Sequence, residues 1–151
     1  VYIFLLGGPL QEEFGWRGYA LPRLQVRHSA VVSSLILGVV WAVWHLPLNF
    51  IYWVGPQYAV GLSMFLSTVI LFVFLSIIFT WLYNNTGGSI FAAMILHTML
   101  NLSTYVVFPV FETETGPTYY FFSTITAAII ILAIFRSDRM VREKKSRDKS
   151  R

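Results

Sequence analysis

Cysteine is absent from the chain, which excludes disulfides, thiolate nucleophiles and cysteine-ligated zinc. Charge is scarce: Asp, Glu, Lys and Arg make up 12% of the residues, against about 25% in an ordinary soluble domain. What charge there is lies unevenly, because residues 136–151 hold eight of the 11 Lys/Arg and three of the seven Asp/Glu, a net +5, which leaves the first 135 residues at −1. The overall +4 therefore belongs to a tail, and with no basic-aromatic interleaving elsewhere it excludes nucleic acid as a partner. Missing too are the G-x-S-x-G of a serine hydrolase and the H-E-x-x-H of a zinc helix. A signal peptide is not recognisable around Val1, which stands inside an apolar run and reads as an internal point of a longer protein.

In place of these features the chain has 56% hydrophobic and 17% aromatic residues, and they fall into long runs. A bilayer requires about 20 apolar residues of α-helix. Residues 61–83 meet this without a single charge, and residues 29–53, 88–107 and 118–135 are predicted to span as well. Pro47 in "HLP" should kink or end the second of these helices, since it removes a backbone donor. Residues 9–28 form a further predicted helix with Pro9 in its first turn, and residues 1–8 read as the end of a preceding element. The fold class is thus all-α, a polytopic transmembrane bundle of about five helices, with a core over 1–135 and a basic, disordered tail over 136–151.

Arg17, Arg23, Arg27 and His28 on one side, and Glu112 and Glu114 in the 108–117 loop on the other, orient the bundle with the tail in the cytoplasm, as in a multi-pass protein of a prokaryotic cell membrane. The tail would be drawn to anionic headgroups, so the lipid bilayer is the first expected partner.

Ionisable groups inside such a bundle are costly, by about 2.5 to more than 10 kcal/mol for each charge near the bilayer centre, and so mark function. They are few: Glu12, Glu13 and Arg17 in the first helix, His45 in the next, and His97 with Asn101 in a later one. Glu13 and Arg17 are spaced i, i+4 in the order that favours an ion pair. Glu12 is rotated about 100° from its neighbour, which leaves it free to serve as a general base. Trp41 lies one turn before His45 on the same face, and His97 shares a face with Asn101. Each group alone also has a plain reading, as a juxtamembrane turn, a packed histidine or interhelical hydrogen-bond glue. Converging in one cavity, they would supply a base for water and donors for an oxyanion, which is the equipment for amide hydrolysis.

"EEFGWR", "WAVWH" and "HTMLN" occur in the order and spacing of three motifs, EExxxR, aromatic-xxx-H and HxxxN, and "NNTGGSIFAAMILHTMLN" resembles the usual lead-in to the last. Over residues 4–107 the chain resembles the CPBP intramembrane proteases, which include the type II CAAX prenyl endopeptidases and the bacterial Abi proteins. The resemblance implies an endopeptidase in which Glu12 with His45 activates water, His97 and Asn101 form the oxyanion site, and Glu13, Arg17 and Trp41 support them. Trp41 stands where many relatives have Phe. The implied substrate is a peptide or a membrane-associated protein. Zinc or another divalent metal, if used, would take Glu12, His45 and His97 as ligands; a metal-free glutamate mechanism with no cofactor is the preferred expectation. Two other classes fit the same residues: a non-catalytic immunity or scaffold protein that keeps the polar site, and, less well, a proton-coupled transporter.

Overall fold

In the computed structural model the described residues are 1–53, 62–107 and 114–139. They are helical with no strand among them. Four helices are long and apolar enough to cross a membrane, over Ala30–Pro47, Phe65–Asn85, Ile90–Val107 and Gly116–Ala133. These are the four apolar spans expected, so the all-α polytopic class holds. The fifth expected membrane helix is helical too, but with Glu12, Glu13, Arg17, Arg23 and Arg27 it is too charged to join them.

After a short α1 (Tyr2–Leu6), the chain turns at Gly7 and Gly8 into α2 (Pro9–Glu13), widens into a π-helical stretch over Phe14–Ala20, and tightens again as α3 (Leu21–Arg27). The wide winding is visible where the Leu21 N–H bonds the Trp16 carbonyl, five residues back. The long helices are α4 (Ala30–Trp53), α5 (Leu62–Asn85), α6 (Ile90–Leu102), which runs on as a π-helical turn over Ser103–Val107, and α7 (Gly116–Arg139). Ser89 caps α6, its hydroxyl accepting from the Ala92 N–H, just after the positive-φ Gly87 and Gly88 of the "NNTGG" turn. α4 does not end at Pro47, since its backbone stays helical to Trp53. Pro47 removes one backbone donor from the helix without ending it, as is tolerated in membrane-spanning helices. α7 extends through Arg139 and so includes the first residues of the expected tail; Glu112 and residues 140–151 lie outside the described residues.

Packing centres on α5. Every fourth residue along the facing ridge of α4 is small and buried or close-packed, namely Ala30, Ser34, Gly38 and Ala42, which lets the two backbones approach. A Cβ built on Gly38 would lie 2.5 Å from the Val73 Cα. Gly38→Leu is therefore expected to force α4 off α5 and to cost about 1–3 kcal/mol or more, read as a lower unfolding temperature in detergent. Along α5, Ile77 joins Ala30 of α4 to Ala128 of α7, and Phe79 joins Trp41 of α4 to Ala93 of α6. α5 is thus the post around which α4 and α6 bring their histidines together.

Candidate active site

The two neighbouring glutamates take different surroundings, as helix rotation requires. Glu13 is fully buried and its Oε1 accepts from Arg17 Nη1 at 3.1 Å and from His97 Nδ1 at 2.8 Å. Arg17 is also fully buried. Its Nε and Nη2 find no hydrogen-bond partner; instead the guanidinium lies 4.2 Å from the Phe79 ring centre and 4.6 Å from that of Trp41. Two aromatic faces take the place of water around a cation that has left it.

Glu12 is only half-buried and its Oε2 accepts from the indole N–H of Trp41 at 3.0 Å. Its position is set by the preceding turn. Gly8 caps α2 with φ 104°, a conformation that favours glycine, and a Cβ there would fall 2.5 Å from Glu12 Oε1 and push that carboxylate aside.

Trp41 joins the motifs. Besides the Glu12 bond, its carbonyl lies 3.0 Å from His45 Nδ1, and its ring packs edge-on against His45 and His97 with centroids 5.9 and 5.7 Å away. Because a carbonyl only accepts, His45 Nδ1 carries the proton and Nε2 remains an acceptor. His97, with Nδ1 against the Glu13 carboxylate, has its Nε2 left over in the same way. Asn101 Nδ2 donates to the Gly7 carbonyl at 3.4 Å, which occupies one of its two amide hydrogens.

His45, His97 and Asn101 line one cavity of about 220 Å³, walled by Leu71, Phe72 and Leu75 of α5 and by Tyr105 and Tyr120. Glu12 does not line it. It borders a separate groove with Gly8, Gln11 and Trp44, while Trp41 lines the cavity and reaches Glu12 with its N–H. Three of the four groups thus line the cavity, and Glu12 stands beside it. The physical reason is that the inward face of the first helix is taken by Glu13, with its two cationic or hydrogen-bonding partners, and the 100° rotation turns Glu12 outward. Glu12 and His97 both remain within electrostatic reach of His45.

Among the described residues no three His, Asp or Glu side chains group as a metal site, and the Trp41 indole takes one of the two Glu12 oxygens. Phe72 and Phe79, which touch His45, His97, Trp41 and Arg17, had no mark in the sequence beyond their i, i+7 spacing on one uncharged span.

The chain matches the family described as type II CAAX prenyl endopeptidase Rce1-like over residues 1–103, a range that contains Glu12, Glu13, Arg17, Trp41, His45, His97 and Asn101. It is 35% identical over 139 residues to a protein of Methanococcus maripaludis named CAAX prenyl protease 2, an alignment that covers 87% of this chain and 49% of that protein. The chain spans about half the length of the curated relative it matches. A match over residues 1–103, the stretch that holds all three motifs, together with 35% identity to this relative, places the chain in the Rce1-like family of type II CAAX prenyl endopeptidases.

Proposed function

We propose that the protein is a membrane-embedded endopeptidase that hydrolyses a peptide bond in a peptide or membrane-associated protein by activating water with Glu12 and His45. The observation that carries the reading is a mostly apolar cavity faced by His45, His97 and Asn101, with the Glu12 carboxylate held beside it by Trp41. A water between Glu12 and His45 would give one proton to the carboxylate and direct its other hydrogen to His45 Nε2 as its oxygen attacks the carbonyl carbon. The carbonyl oxygen becomes an oxyanion and accepts from the free amide hydrogen of Asn101 and from His97 Nε2–H. When the C–N bond breaks, the proton held by Glu12 passes to the leaving amine. His97 donates from both nitrogens only as an imidazolium, and the buried Glu13 carboxylate is the counter-charge that suits it. Glu13 and Arg17 act through His97 as positioning residues.

The 2.8 Å contact between Glu13 and His97 also favours a second reading, in which a neutral His97 takes the proton of water and Glu13 orients it. Glu12→Gln separates them: cleavage is lost where Glu12 is the base and persists where His97 is.

The reading is tested with protein reconstituted in liposomes and quenched fluorescent peptides or lipidated peptide ends as substrates. Asn101→Ala is expected to lower kcat by about 10²–10³ with little change in unfolding temperature. Absence of any cleavage by the unaltered protein in this assay, together with loss of a binding partner in the Asn101 variant, would instead identify a non-catalytic immunity or scaffold role.

A further inference from the structure

Away from the cavity, the face between the π-helical stretch with α3 and the first half of α4 carries a groove of about 640 Å³. The two segments run antiparallel: Trp16 meets Trp44 at a centroid distance of 6.1 Å, and Leu24 packs in the cluster of Leu37. One end of the groove is cationic, with Arg23, Arg27 and His28 all exposed. Its remaining length is apolar, along Val26, Ile36 and Val40.

The cations are placed for a ligand rather than for an internal partner. The Arg23 guanidinium lies 3.6 Å from the Tyr19 ring centre and donates to the Tyr19 carbonyl at 3.2 Å, so it is held at the groove edge. Among the described residues neither Arg23 nor Arg27 has a carboxylate partner, the recorded ion pairs being those of Glu13. The cationic end also falls just before Ala30, where the first apolar span begins, so it sits at the depth of the headgroups. A negative group at that depth joined to an apolar chain running inward is the anatomy of a membrane lipid.

We propose that this groove binds one anionic phospholipid, its phosphate on Arg23 and Arg27 and an acyl chain along Ile36 and Val40. Basic pockets of this kind at the membrane surface gain about fivefold in affinity for each Lys or Arg, hence about thirtyfold for the two arginines over a zwitterionic lipid. The inference does not depend on the protein being a protease.

The experiment is native mass spectrometry of the protein released from vesicles of phosphatidylcholine with phosphatidylglycerol. The expected result is a single retained phosphatidylglycerol, at about thirtyfold preference, that disappears in the Arg23→Gln, Arg27→Gln double variant. Filling the apolar half with Val40→Trp, or with Ile36→Trp where the first variant unfolds, should remove the lipid with both arginines in place. Retention undiminished in the double variant overturns the proposal. So does loss of the lipid on removal of residues 140–151 alone, a thermal shift reproduced by inorganic phosphate without vesicles, or a dimer whose formation expels the lipid.

Discussion

Glu12→Gln is expected to reduce cleavage by about 10³-fold while leaving the unfolding temperature close to that of the unaltered protein. The magnitude is that of a general base, whose removal costs about 10²–10⁴ in rate. The stability follows from the surroundings of this side chain: Glu12 is half-buried, and its one recorded side-chain bond is as acceptor from the Trp41 indole. Glutamine keeps an acceptor oxygen for that N–H and adds no charge to be desolvated, so the fold loses almost nothing. Only the capacity to take a proton is gone. Activity retained in Glu12→Gln would exclude Glu12 as the base and favour His97. Parallel kcat and melting measurements on one preparation separate the chemical loss from a structural one.

Arg17→Ala should behave in the opposite sense, with a large loss of stability that precedes any statement about rate. Arg17 and Glu13 are both fully buried, and Glu13 Oε1 serves Arg17 and His97 together. Removing Arg17 breaks a buried ion pair and leaves the Glu13 carboxylate with His97 as its one remaining partner, and breaking a buried pair costs about 3–5 kcal/mol. The truncation also empties the space between the Phe79 and Trp41 rings, which adds a cavity term. Replacing both partners, as Arg17→Met with Glu13→Gln, should restore most of the stability because the buried carboxylate and guanidinium are both gone, His97 stays neutral, and the methionine refills the aromatic slot. It should not restore the rate under the oxyanion reading, since a His97 without the Glu13 carboxylate no longer donates from both nitrogens. An inactive double variant that melts like the unaltered protein would assign Glu13 and Arg17 to positioning; an active one would assign them to folding alone.

The parts of the molecule announce themselves very differently in sequence. The spans were legible because bilayer thickness sets a length that composition must meet, and residues 61–83 meet it without a charge. The Glu13–Arg17 pair was legible because i, i+4 spacing fixes a distance within one helix, and the structure places the two groups 3.1 Å apart. That Glu13, and not Glu12, faces His97 was not legible, since it depends on which side of the first helix packs on α6. Phe72 and Phe79 were hidden for a related reason: an aromatic residue in an aromatic-rich span carries no sign of which neighbours it will meet. Helix continuation past Pro47 was not legible either, since a proline removes the same donor whether the helix ends there or runs on.

Trp41 is bound at its ring, its indole nitrogen and its backbone carbonyl to groups from other motifs or the next turn. A side chain fixed at so many points has no spare rotamer. Turning that one ring would break the Glu12 bond and the His97 contact together, so both groups lose their placement in a single event rather than one at a time.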